Sequence, residues 1–341
     1  MGEKKAPNPE DIARRVRLGE ERALARLISG LEDGAAWAGE GLRLLRGEAR
    51  PQREAQIVGI TGPPGSGKST LIDKLICAYR NRGERVAVLA VDPSSPFTGG
   101  AILGDRVRMQ GREFGSAVAG ASADDGLFIR SLASRGRLGG LSRASAQCAR
   151  ALEAAGYGVV IVETVGIGQS EVDIARLADS VVLVSMPGSG DEIQTIKAGV
   201  MEIGDIFVVN KADRPGADKA VREISSMLET GLDLSSRIES PPVLKTVAES
   251  GEGVGELVAA LDARWAWLID SGRLEARRRR GAIAETRALL SERVLAELES
   301  LESPSQARLE DELAEKVVKG ELESGTAADL LFDAIRKGGG T

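Results

Sequence analysis

The sequence has no histidine and only two cysteines among its 341 residues. Without histidine there is no imidazole general base, no imidazole metal ligand and no side chain that titrates near neutrality by default. Cys77 and Cys148 lie in helical patterns among apolar residues, so they read as reduced core thiols and not as a disulfide framework. Aromatic residues are also scarce, at 3%. The core must therefore be aliphatic, which suits a buried parallel sheet of Val, Ile and Leu strands. No apolar stretch approaches the length of a membrane span and no signal peptide opens the chain. No membrane association is expected, and a reducing cytoplasm is the expected setting. The net charge of −6 argues against a nucleic-acid partner. The run Arg277-Arg278-Arg279-Arg280 is a local exception, read as a solvated helix face or an ion-pair strip.

Against these absences stands one complete motif. Gly62-Pro63-Pro64-Gly65-Ser66-Gly67-Lys68-Ser69 fits G-x-x-x-x-G-K-[ST], with Thr70 following. It is preceded by the apolar run Ile57-Val58-Gly59-Ile60 and followed by a helical pattern to Tyr79. Strand, glycine loop and helix together make a phosphate site. Backbone N–H groups turn inward and the helix N-terminus adds partial positive charge. Lys68 is placed to reach β- and γ-phosphates, and the Ser69 hydroxyl to bind Mg2+.

The base is read further along, in Asn210-Lys211-Ala212-Asp213 after the apolar run Ile206-Phe207-Val208-Val209. A buried Asp213 carboxylate can accept from guanine N1–H and the 2-amino group. Against adenine it would stay unpaired, which disfavours that base. Asn210 can tie the base loop to the phosphate loop, and the Lys211 stem can lie over the base. Thr246-Val247-Ala248 sits where a third base-contacting loop falls, and Ala248 is assigned a backbone N–H role. The expected ligands are therefore GTP or GDP with Mg2+.

From Gln56 the chain alternates strand and helix, with the clear strands at 56–61, 85–91, 158–163, 180–186, 205–210 and 242–246. The clearest helices between them are 141–155 and 216–229. This predicts an α/β fold of P-loop NTPase type: a mostly parallel sheet flanked by helices. Residues 1–54 form an N-terminal helical extension, 55–270 the nucleotide domain and 271–341 a C-terminal helical region.

The strand Val159-Val160-Ile161-Val162 ends in Glu163-Thr164-Val165-Gly166. Glu163 takes the place of the usual metal-shell aspartate, and the Gly166 N–H is placed to sense a γ-phosphate. Ile167 stands where a catalytic glutamine is common, with Gln169 two residues on, so slow intrinsic hydrolysis is expected. Asp92 and Asp105 are placed to complete the Mg2+ shell, directly or through water. The competing reading is an Asx-turn at Asp92 and a helix cap at Asp105. The acidic segment Gly188-Ser189-Gly190-Asp191-Glu192 reads as a third mobile switch or a capped helix start.

Taken together, GPPGSGKST, VDPSSPFTGGAILGDRVRM, FIRS with RGRLGG, VETVGIGQSE, PGSGDEIQTIKAG and NKAD resemble the MeaB/ArgK GTPases over residues 10–270. The resemblance implies a homodimeric G-protein chaperone of an adenosylcobalamin-dependent acyl-CoA mutase, usually methylmalonyl-CoA mutase. It implies gating of cofactor delivery from a cobalamin adenosyltransferase and protection of the mutase from inactivation. It also implies an extra switch at 185–199 and dimerisation through the C-terminal helices. Arg137 stands in RGRLGG where family members often carry histidine. Two rivals share the fold class. A nickel-delivery GTPase needs Cys and His ligands that this chain lacks. A kinase of a transport system would favour adenine, against the NKAD motif.

Overall fold

The computed structural model describes residues 6–47, 54–92, 126–133, 143–164, 170–188, 202–231, 241–300 and 304–338. Helices α1 (Pro9–Arg17), α2 (Glu21–Glu32) and α3 (Ala36–Gly47) come first. Asn8 caps α1 by accepting from the Glu10 amide at 2.9 Å, and Pro9 follows where no amide is needed. Glu10 and Asp11 lie at the positive end of the helix dipole and Arg14, Arg15 and Arg17 at the negative end.

Next comes the alternating region: β1 (Gln56–Thr61), α4 (Lys68–Arg80), β2 (Val86–Asp92), β3 (Leu127–Ala133), α5 (Arg143–Ala154), β4 (Val159–Thr164) and α6 (Ser170–Leu177). It continues with β5 (Ser180–Ser185), β6 (Ile206–Val209), α7 (Ala217–Gly231), β7 (Val243–Lys245) and α8 (Val254–Asp270). The seven strands form one sheet in the order β3-β2-β4-β1-β5-β6-β7, and every pairing is parallel. This is the α/β architecture expected from the sequence. Side chains alternate between faces along each strand. Val58, Ile60, Ile161, Val182 and Val208 pack under α4 and α8, with Leu71, Leu75 and Leu257. Ile57, Val160, Val162 and Val181 pack on the other face, in one cluster with Leu152 of α5 and with Ile12, Leu27 and Leu45 of α1–α3. The helices before β1 thus share a core with the sheet.

One strand was not among those predicted. β3 carries Arg130 and Ser131 within LFIRSLA, which breaks the aliphatic run. It is an edge strand, paired with β2 alone among the described strands. Arg130 is accommodated there by Glu32 of α2 at 2.6 Å and by the Ser29 hydroxyl at 2.9 Å.

Three helices follow, α9 (Arg273–Ser300), α10 (Pro304–Val318) and α11 (Ser324–Gly338). The chain divides into two compact units, Met1–Gly281 and Ala282–Thr341, so the first turns of α9 go with the sheet. In the second unit Leu290, Val318 and Phe332 are exposed, at 61%, 88% and 53%. No helix among the described residues is long and apolar enough to cross a membrane.

Candidate functional site

The phosphate loop leaves the carboxyl end of β1, the central region of the sheet where α/β proteins place ligands. Gly62 has φ 142°, and a Cβ there would lie 2.0 Å from the Val184 carbonyl oxygen of β5. Only glycine lets the chain turn off the sheet so close to its neighbour. Pro63 is buried while Pro64 and Gly65 are exposed at the tip of the turn, closed by the Ser66 amide on the Pro63 carbonyl at 3.3 Å. Gly67, at φ 89°, caps α4 in the left-handed region. A Cβ on Gly67 would lie 2.3 Å from Asn210 Nδ2, so the base loop requires this glycine as much as the phosphate loop does.

Three side chains converge here. Lys68 is 7% exposed, and its ammonium donates to the carbonyls of Gly62 at 2.8 Å and Pro63 at 3.0 Å. The Ser69 hydroxyl donates to Glu163 Oε1 at 2.9 Å, across from the end of β4. Glu163 is buried. These two oxygens suit Mg2+, a hard cation that takes one or two protein oxygens and fills its octahedron with phosphate and water. Among the described residues no three His, Cys, Asp or Glu side chains gather into a closed metal cage. Thr70 continues α4, half-buried.

Asn210 joins the two halves of the site. Its Nδ2 donates to the Ser66 carbonyl at 2.7 Å, and its Oδ1 accepts from Thr246 Oγ1 at 3.1 Å and the Ala248 amide at 3.0 Å. Lys211 reaches over the phosphate loop and donates from Nζ to the Gly65 carbonyl at 2.7 Å. Its backbone sits at φ 55°, the one positive φ outside glycine among the described residues. Such a conformation is costly for a residue with a Cβ and tends to collect at functional sites.

Residues 24–303 match the family described as "Methylmalonyl Co-A mutase-associated GTPase MeaB". The chain belongs to the MeaB family of GTPases. The Pyrococcus horikoshii protein named "Putative GTPase PH0274" is 44% identical over 328 residues, covering 96% of this chain and 98% of its own. GTPase ArgK of Escherichia coli is 40% identical over 241 residues, 70% of each chain. The mouse protein named "Methylmalonic aciduria type A homolog, mitochondrial" is 36% identical over 282 residues, 82% of this chain and 65% of its own. A solved structure titled "Crystal structure of LAO/AO transport system kinase" superposes with a TM-score of 0.72 at 28% identity, covering 96% of this chain and 97% of that one.

Within this MeaB-family GTPase, Gly62 to Thr70 form one loop and helix start, joined directly to Glu163 and Asn210. Asp92 ends β2, one step beyond the Val91–Thr164 pair, which places its backbone beside the end of β4. Asp105, Gly166, Gln169, Arg137 and the acidic segment after Gly188 lie outside the described residues. Two further positions are described. Asp213 is exposed, not buried. The Ala248 amide, assigned a backbone N–H role, donates to Asn210 Oδ1, whose buried oxygen it helps to satisfy. The sequence reading missed the pair Thr61 and Thr164, each ending a neighbouring strand and buried. The available signal was a hydroxyl residue at the same step of two strands, just before the glycine loop and just after Glu163.

Proposed function

We propose that this GTPase is Mg2+-dependent and guanine-specific, and that it serves as a G-protein chaperone of an adenosylcobalamin-dependent acyl-CoA mutase of the methylmalonyl-CoA type. In this role it gates cofactor loading from a cobalamin adenosyltransferase and protects the mutase. It acts as a homodimer in the cytoplasm. The observation that carries the reading is the family match over residues 24–303, whose description names the mutase. The link of the mouse relative's name to methylmalonic aciduria points the same way. Homodimerisation is supported by the exposed Leu290, Val318 and Phe332 of the C-terminal unit.

The chemistry follows from the side chains of the site. Lys68 is already held over the loop by two carbonyls, so β- and γ-phosphate oxygens can replace those carbonyls without moving the ammonium far. Ser69 and Glu163 would hold Mg2+, with Asp92 and Asp105 as further donors. When bound, the ion would offset charge on the phosphate oxygens. Asp213 would accept from the guanine edge, Lys211 would cover the base, and Gly166 would report on the γ-phosphate. Asn210 keeps the base loop and phosphate loop in register.

GTP hydrolysis measured with and without candidate mutases from the same organism tests the reading. A mutase that binds at micromolar concentration and raises turnover is the expected result. If no cobalamin-dependent mutase binds or changes the rate, the chaperone role is lost and a stand-alone GTPase remains.

A further inference from the structure

We infer that Thr61 and Thr164 are positioning residues for GTP hydrolysis, clasping the phosphate loop to the strand that carries Glu163. The backbone register between β1 and β4 runs from Gln56–Val159 to Ile60–Glu163. One step further the two strands hold to different neighbours. Thr61 pairs with Leu183 of β5, and Thr164 pairs with Val91 of β2. At that step side chains take over: Thr164 Oγ1 donates to Thr61 Oγ1 at 3.0 Å, and both residues are at most 1% exposed.

The position of this bond gives it a consequence beyond packing. Thr61 is followed by Gly62, which opens the loop leading to Ser69. Thr164 is preceded by Glu163, which accepts from Ser69 at 2.9 Å. Thr61, the loop, Ser69, Glu163 and Thr164 therefore form a closed ring of chain and two hydrogen bonds. Opening the ring at the threonines frees the loop to shift against Glu163. Reacting groups tolerate little of that: a displacement of about 1 Å costs about a hundredfold in rate. Base recognition hangs on Asn210 and Asp213; Asn210 reaches the loop at Ser66, away from the two hydrogen bonds that close the ring.

The inference rests on the family's GTPase reaction and on the Mg2+ set proposed for Ser69 and Glu163. The experiment compares Thr164→Val, Thr164→Ser and the double variant Thr61→Val with Thr164→Val, in the full chain. Read-outs are kcat and KM for GTP, the Mg2+ concentration for half-maximal rate, GDP affinity and the unfolding midpoint. Thr164→Val should lower kcat by about tenfold or more and raise the Mg2+ requirement, with a much smaller loss of GDP affinity. Thr164→Ser should restore both. The double variant removes both hydroxyls at nearly constant shape, so it should keep the parent's stability while remaining slow. The inference is overturned if Thr164→Val turns over GTP like the parent, if the serine variant is as slow as the valine variant, or if the double variant regains full kcat. A parent enzyme indifferent to Mg2+ would remove the proposed metal set, while kcat and the serine rescue would still decide the clasp.

Discussion

The two ends of the sheet hold positive charge in opposite ways. At the carboxyl ends Lys68 and Lys211 donate to loop carbonyls, and phosphate oxygens can replace those held by Lys68. At the amino ends the cations are arginines locked to buried carboxylates. Arg278 meets both oxygens of Asp179, at 3.0 and 2.9 Å, and Glu153 at 2.9 Å. Arg277 and Arg264 meet the two oxygens of Asp205, at 3.0 and 2.7 Å. Each aspartate also accepts a strand amide at 2.9 Å, Ile57 for Asp179 and Val181 for Asp205. Burial works against the Arg278 charge, but Asp179 and Glu153 outweigh it and hold the guanidinium above its ordinary pKa. The planar fork suits a fixed bidentate pair, whereas a lysine ammonium can be handed from one oxygen to another. One end is built to stay, the other to exchange partners.

The comparison breaks most visibly if each end is cut in turn. Lys68→Ala should reduce GTP turnover by about a hundredfold to a thousandfold, the scale of removing one aimed cationic or donor group. Its unfolding midpoint should hardly move, because the ammonium leaves behind carbonyls that water in the loop can satisfy. Asp179→Ala should do the reverse. It takes the bidentate partner from the part-buried Arg278, leaving it Glu153, and removes the acceptor of the Ile57 amide, a loss of about 3 kcal/mol in urea unfolding, with kcat of the folded fraction preserved. Replacing Asp179 and Arg278 together by apolar residues should cost less than Asp179→Ala alone. A fall in kcat from Asp179→Ala at full stability would show that the amino ends take part in the reaction.

This division was only half legible in the sequence. The glycine loop and NKAD stand out because phosphate and base chemistry demands fixed residues at fixed spacing. Buried strands such as Val159–Thr164 stand out because both their faces are covered. The Arg277–Arg280 run was visible as charge, yet not its split. Arg277 and Arg278 are ion-paired, while Arg279 and Arg280 are exposed. Their partners Asp179 and Asp205 begin strands far away in the chain, and no local pattern links them. The clasp of Thr61 and Thr164 was hidden for the same reason: its bond depends on strand order, which places β4 beside β1.

A smaller effect tests the base end of the site. Asp213→Asn exchanges an acceptor for a donor, so GTP should bind about tenfold more weakly and xanthine nucleotides should gain. The exposure of Asp213 keeps the loss at that lower end, since water can serve the side chain in the free protein. Competition binding with GTP, ATP and XTP measures it. Equal affinity of the parent for ATP and GTP would remove the base assignment.

The smallest effect belongs to an exposed pair and sharpens what burial contributes. Lys245 donates to Asp218 at 3.0 Å, with the side chains 53% and 75% exposed. That hydrogen bond, then the lysine charge, holds the Asp218 carboxyl below its ordinary value. A carboxyl depressed by folding adds stability above its unfolded pKa, near 4, and loses it as pH falls through the folded value. Asp218→Asn should therefore lower the unfolding midpoint slightly at pH 7, and the gap should close in acid. Solvent and counter-ions screen the pair, so salt at pH 7 should close the gap as well. The Asp179→Ala loss should largely persist in the same salt, because the Asp179 carboxylate is buried away from the ions. If salt erased both losses equally, burial would not be what separates the arginine network from an ordinary surface ion pair.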